Sequence, residues 1–128
     1  MKILLDTCTF LWIITDAPEL SNSARESFVD PANEVYLSAV STWEIVIKYA
    51  LGKLSLPESP ERYIPFQRQQ HNINTLPLEE GATLYFGRLP LLHKDPFDHI
   101  LICQAIMHGM VIMTSDELVV QYPVRTIW

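Results

Sequence analysis

Two carboxylates crowd one short stretch of the chain. In "HKDPFDHILICQA", residues 93–105, Asp95 precedes Pro96, Asp98 follows two positions later, and an apolar run begins at once. Acids at such a place do one of two things. They cap a helix and complement its dipole, or they hold a hard divalent cation, which requires clustered oxygen ligands with positions left open for water. Three more acids sit at comparable places. Asp6 ends the apolar run "KILLD", Glu44 follows "EVYLSA" within "STWEIVIKYALGKL", and Asp116 follows "MVIMT" in "TSDE".

Each acid alone has an ordinary structural reading. Asp6 fits the cap of a helix starting near Thr9. Ser41 and Glu44 match a capping box, with Glu44 at the third helical position, and Glu44 with Lys48 makes an i,i+4 ion pair. Asp95 suits an N-cap before Pro96, Asp98 the dipole of the helix that follows, and Asp116 the start of a last short helix. Together they ask for more, because a cap accepts Ser, Thr or Asn as readily as Asp. Four carboxylates meeting at one place, kept ionised by converging N–H groups, would hold one or two Mg²⁺ or Mn²⁺ ions. Such ions grip a phosphodiester, activate water and stabilise the leaving oxygen, in two-metal sites about 3.5–4 Å apart. No protein nucleophile is required, and no Ser-His-Asp set is evident.

The elements between the acids favour such a meeting. "KILLD", "EVYLSA" and "MVIMT" read as short buried strands. "STWEIVIKYALGKL" carries apolar residues at helical spacing and ends at Gly52, and "DPFDHILICQAIMHG" opens on Asp-Pro and closes on Gly109. Its "ILIC" is apolar all round, which predicts a deeply buried helix with Cys103 as a small core residue. "SNSARESFV" and "PERYIPFQRQQH" are further helices, the second expected to be interrupted or to start late at Pro65. Strands alternating with helices give an α/β fold with a central parallel sheet covered on both faces. Ligands in such folds bind beyond the carboxyl ends of the strands, where Asp6, Glu44, Asp98 and Asp116 are all expected.

The 128 residues suit one domain, taken as 1–128. With 48% hydrophobic residues a sizeable core is available, and the apolar runs are too short to span a membrane. The start "MKILLDTCTF" lacks a secretory cleavage pattern, so a cytoplasmic location is expected. Two cysteines, Cys8 and Cys103, form no Cys-x-x-Cys pair and argue against a zinc knuckle or disulfide framework. A formal charge of −6 argues against a simple electrostatic nucleic-acid binder. It leaves room for a nuclease whose metal ions bring the positive charge.

"MKILLDTCTFLW", "STWEIVIKYALGKL", "HKDPFDHILICQA" and "MTSDE" resemble, in order and spacing, the motifs of PIN-domain nucleases, most closely the VapC-type toxins of bacterial toxin–antitoxin pairs. The resemblance covers essentially the whole chain. It implies a PIN-like α/β/α sandwich, Mg²⁺- or Mn²⁺-dependent cleavage of RNA, and a cognate antitoxin; a homodimer is expected as well. It assigns Asp6, Asp98 and Asp116 as metal ligands, with Thr7 beside the first, and Glu44 as a catalytic acid acting through water. Asp95 is left to the helix cap. Two positions depart from the pattern: Cys8 stands where Asn or His is frequent, altering hydrogen bonding near the site. His99 stands where Arg is frequent, weakening a phosphate or partner contact, since imidazole is mostly neutral at pH 7.

Other residues have weaker claims. His93 and Lys94 fit phosphate contacts or a solvated loop, and Thr114 and Ser115 fit the orientation of Asp116 or a turn. Trp12, Trp43 and Trp128 suit base stacking, although Trp43 at helical spacing reads better as core. Tyr63, Ile64 and Phe66 in "ERYIPFQRQQ" are the expected dimer surface. Competing classes fit less well. A phospho-receiver needs a Lys near the end of a late strand, and a haloacid-dehalogenase-type phosphatase needs Asp-x-Asp, where this chain has Cys8. A non-catalytic binding module would be expected to lose acids that are all present.

Overall fold

The structure, a computed structural model, describes residues 1–92 and 94–128; the expectation for His93 falls outside them. Five strands run β1 (Lys2–Leu5), β2 (Glu34–Ser38), β3 (Asn74–Leu76), β4 (Val111–Met113) and β5 (Thr126–Ile127). They form one sheet in the order β3-β2-β1-β4-β5, with every pairing parallel. The helices are α1 (Thr7–Ile14), α2 (Asn22–Val29), α3 (Ala39–Ala50), α4 (Pro60–Gln70), α5 (Glu80–Tyr85), α6 (Pro96–His108) and α7 (Glu117–Val120), with a 3₁₀ turn at Phe86–Arg88. Parallel strands need crossover connections, and helices in those crossovers cover both faces of the sheet.

Strand β1 shows how the sequence builds two cores. Side chains alternate across a strand, so Ile3 and Leu5 pack with Phe10, Ile45 and Met113 on one side. Leu4 packs with Leu101, Ile102 and Ile112 on the other. All three β1 residues are fully buried, which is why the strand reads as a continuous apolar run. Helix α6 behaves as expected: Asp95 caps it by accepting from Phe97 N at 2.9 Å, and Gly109 ends it in the left-handed region at φ 64°. Cys103 is fully buried in the core, and burial pushes its thiol up to about 11.

Several expectations need correction. Helix α3 starts earlier than the capping-box pattern suggested. Strand β2 ends at Ser38, whose Oγ accepts from Val40 N at 3.0 Å, so Ser38 is the cap and Ser41 lies inside the helix. Glu44 therefore sits in the second turn, not the first. Helix α4 is continuous through Pro65. An interior proline costs about 3 kcal/mol, and here the burial of neighbouring Tyr63 and Ile64 offsets it. Strands β3 and β5, of three and two residues, were not anticipated.

A buried polar pair ties the end of β2 to α6. Ser38 Oγ donates to Gln104 Oε1 at 2.6 Å, and Gln104 Nε2 donates to Pro77 O at 3.2 Å. Both side chains are fully buried, where a lost partner costs about 1–3 kcal/mol. Gln104→Leu should therefore lower unfolding free energy by about 2 kcal/mol, as read by urea denaturation, whereas an unchanged midpoint would show that the pair contributes no net stability.

Candidate active site

The carboxyl ends of β1 and β4 lie side by side, with Leu5 opposite Met113 in the register. The next residues, Asp6 and Thr114, therefore meet. Asp6 caps α1: its Oδ1 accepts from Thr9 N at 2.7 Å, while Oδ2 accepts from Thr114 Oγ1 at 2.5 Å. The residue is only 9% exposed. Burial pushes the carboxyl above its ordinary value, and the Asp116 charge adds to the rise. Hydrogen bonds from Thr114 and Thr9 oppose it without overcoming it. The hydrogen bonds from Thr9 and Thr114 favour the charged form, as expected, but desolvation is the larger effect and the net shift is upward.

Thr114 also orients Asp116, whose backbone N donates to Thr114 Oγ1 at 3.0 Å. Asp116 then caps α7, accepting from Leu118 N at 2.9 Å. On the other side of β1, α3 brings in Glu44. The Thr7 hydroxyl donates to Glu44 Oε1 at 2.7 Å and lies 3.0 Å from Ser41 Oγ. Lys48 Nζ donates to Glu44 Oε2 at 2.5 Å. Both oxygens of this buried carboxylate thus have protein partners. Asp98, third residue of α6, is half-buried beside the Asp95 cap.

These side chains line one cleft of about 160 Å³: Asp6, Glu44, Asp98 and Asp116 with Thr7, Cys8, Trp12, Lys48, Asp95 and Ser115. The four acids singled out in the sequence are brought together, and Asp95 joins them at the rim while keeping its capping role. The thiol of Cys8 reports the same convergence. It is pushed up first by burial and then by the charges of Asp6, Glu44 and Asp98. Cys8 is thereby held as a neutral thiol, a poor metal ligand. Among the described residues, no three His, Cys, Asp or Glu side chains already stand at ligating separation. The donor set is nonetheless hard oxygen throughout, the chemistry that Mg²⁺ and Mn²⁺ select.

Other expectations resolve differently. His99 does not face the cleft; it is fully buried, its ring 4.0 Å from Phe86 and 5.4 Å from Tyr122 between centroids. The departure from Arg there is a packing feature, not a missing phosphate contact. Trp43 is 58% exposed, not core, and packs edge-on against Phe97 at 5.2 Å. Trp12 lines the cleft and rests against Trp128 at 5.7 Å. Thr7 and Lys48 are larger participants than the sequence indicated. The signal for Thr7 was adjacency to Asp6, and that for Lys48 its i,i+4 spacing from Glu44.

A PIN-domain family model matches residues 3–123. The chain belongs to the PIN-domain family. Over 69 residues it is 35% identical to Ribonuclease VapC16 of Mycobacterium tuberculosis, an alignment that takes in 54% of this chain and 49% of that protein, so the chain spans about half the length of this curated relative. Two solved structures share the fold. The crystal structure of VapBC2 from Rickettsia felis bound to a promoter DNA fragment superposes with a TM-score of 0.76 at 16% identity, covering 99% of this chain and 98% of that one. DNA-bound VapBC from Salmonella typhimurium gives 0.70 at 22% identity, with 99% and 97% covered. The parallel sheet with helices on both faces is therefore the PIN-like α/β/α sandwich.

The raised Asp6 carboxyl has a consequence for stability. An acid whose folded value exceeds its unfolded one, near 3.8, makes the native state bind the extra proton, so stability falls as pH rises between the two values. At neutral pH without metal, charged Asp6 should therefore cost stability. Asp6→Asn keeps a capping oxygen and should melt higher than the unsubstituted protein at pH 7 in EDTA. The gap should narrow as pH drops below the folded value. A lower melting temperature for the variant at pH 7 would show that the carboxylate stabilises this site.

Proposed function

We propose that the chain is a metal-dependent endoribonuclease, the toxin of a toxin–antitoxin pair, acting in the cytoplasm. The observation that carries this reading is the convergence of Asp6, Glu44, Asp98 and Asp116 in one cleft at the carboxyl end of the sheet. Family membership and the likeness to Ribonuclease VapC16 support it. Asp6, Asp98 and Asp116 would hold Mg²⁺ or Mn²⁺. When bound, such an ion supplies charge to the phosphodiester and acidity to a water molecule. Thr114 fixes Asp6 and Asp116 relative to each other, since one hydroxyl bonds both residues. Glu44, with each oxygen engaged by Thr7 or Lys48, is oriented to act through a water molecule and not as a direct ligand.

With purified protein, Mn²⁺ and single-stranded RNA, Asp6→Asn, Asp98→Asn and Asp116→Asn should each lose nearly all cleavage and keep the circular dichroism of the fold. Glu44→Gln should lose about 10- to 100-fold, the usual cost of disturbing an outer-shell group. Undiminished cleavage by Asp6→Asn would reject the site.

Restraint of such an activity calls for a partner. A basic antitoxin segment fits: an Arg reaching the cleft would pair with its carboxylates and compete with metal. The far end of α1 also borders a hollow of about 330 Å³, where Ile13, Leu20, Phe28 and Val29 are joined by Asp16, Arg25, Glu26 and His71, and apolar side chains of the same segment would dock there. Expression of this chain alone should arrest growth in an Asp6-dependent way, and co-expression of a small upstream reading frame should relieve it. Harmless expression of soluble, active protein would remove the need for an antitoxin.

A homodimer belongs to the same proposal, with its surface revised. Tyr63 and Ile64 of "ERYIPFQRQQ" are buried within the chain, which leaves only Phe66 exposed. Helix α3 offers a better face, because Trp43, Val46 and Ala50 follow one exposed apolar stripe with Leu51 beyond it. Light scattering at micromolar concentration should give twice the 14.7 kDa chain mass, and Val46→Glu should give monomers. A monomer before substitution would rule the dimer out.

A further inference from the structure

Among the described residues lining the cleft there is one cation: five are acids and only Lys48 is basic. Its pairing with Glu44 has the spacing of an ordinary i,i+4 surface ion pair, but the surroundings differ. The Glu44 side chain is 5% exposed, while the Lys48 side chain is 47% exposed. The carboxylate is thus buried and the ammonium stands at the boundary with solvent, at the mouth of the cleft and not on an outer helix face.

An ammonium has three N–H donors. Among the described residues, Lys48 uses one, toward Glu44 Oε2. Glu44 meanwhile needs no further help from Lys48 to be fixed in place, because Thr7 donates to its other oxygen. Because Glu44 lines the cleft, the lysine paired to it is held at the cleft as well. With two donors unspent and its stem anchored by a buried partner, it can accept a second anion without giving up the first. The ion that a polyanionic strand offers on entering this cleft is a phosphate oxygen.

We infer that Lys48 is a substrate-binding residue that grips an RNA backbone phosphate in the cleft while remaining paired to Glu44. This rests on the ribonuclease reading and adds to it the group that compensates backbone charge. A phosphate contact carries no sequence information, so the grip is the same for any sequence. It releases counterions, which gives it a signature in salt dependence.

The test uses Lys48→Gln, which keeps an N–H donor for Glu44 and loses the charge, and Lys48→Arg, which keeps both. Binding of two fluorescein-labelled single-stranded RNA oligomers of unrelated sequence is followed by anisotropy in the Asp6→Asn background, over a range of KCl concentrations. Cleavage is measured in the otherwise unsubstituted protein. Lys48→Gln should lower the slope of log affinity against log salt by about one, equally for both oligomers. It should raise KM about tenfold, with kcat within about twofold, as expected of a group that binds substrate and transition state alike. Lys48→Arg should restore slope and KM. An unchanged slope with unchanged KM, or a fall confined to kcat or to melting temperature, would overturn the inference and leave Lys48 as the counter-ion of Glu44. Absence of Asp6-dependent cleavage in the unsubstituted protein would instead overturn the ribonuclease reading itself, and the inference with it.

Discussion

The cleft depends on the hydrogen bonds that hold Asp6 at the end of the central strand. Strand β1 is flanked by β2 and β4, so whatever follows Leu5 is pressed between the ends of two other strands. One carboxylate there closes the first turn of α1 with one oxygen and takes the Thr114 hydroxyl with the other. The first bond sets the direction in which α1 leaves the sheet. The second ties that helix start to the segment leading into Asp116. Thr7, the next residue, reaches across to Glu44 on α3. Three crossover connections are thereby referenced to two consecutive residues, and the cleft forms where they diverge.

This arrangement sets local stability against chemistry. Most of the chain satisfies the rules of a two-faced α/β core. Strand β1 is dry on both sides, α6 is buried and capped at both ends, and Ser38 with Gln104 forms a closed polar pair. The cleft breaks those rules by placing several acids near one another. The pressure shows in the titration of Asp6 and in the displaced thiol of Cys8. Sites that depart from local consistency in an otherwise consistent fold are where function is expected. The hydroxyls of Thr7 and Thr114 are the compensation, giving Glu44 and Asp6 hydrogen bonds that do not add charge.

What the sequence conveyed depended on the length of the pattern. Asp6 and Asp116 were readable because each terminates an apolar run long enough to identify as a strand, and the rule for strand ends then placed them. Asp98 was readable because Asp95-Pro96 and Gly109 mark both ends of α6. Glu44 was readable from its place in the helix after the second strand, but one turn too early: Ser41-x-x-Glu44 imitates a capping box, whereas Ser38 caps the helix, which starts two residues before Ser41. Strand β3 mixes Asn74 and Thr75 with Leu76 and β5 has two residues, so neither offers an apolar run to read, and each pairs along one neighbouring strand. The environments of His99 and Trp43 could not be read, since a lone aromatic at helical spacing carries no information about which face a distant element covers. Lys48 was visible only as an ion-pair partner, because i,i+4 spacing is the same beside a cleft as on an outer surface.

The net charge of −6 conflicts with the proposed polyanionic substrate only if charge is treated as a property of the whole chain. Five of the fifteen acids line the cleft, and screening confines the influence of the exposed remainder to about 8–10 Å. Within the cleft, the sign of the potential is set by what binds there. Divalent cations invert the local balance, and an acidic pocket is what makes their binding favourable. Lys48, fixed next to that pocket by its pairing with Glu44, would have a part that mobile ions cannot take. A uniformly basic surface would attract RNA everywhere and align it nowhere. In the proposed reading, an acidic cleft with an anchored ammonium would attract the strand when metal is bound, along a path that passes Lys48.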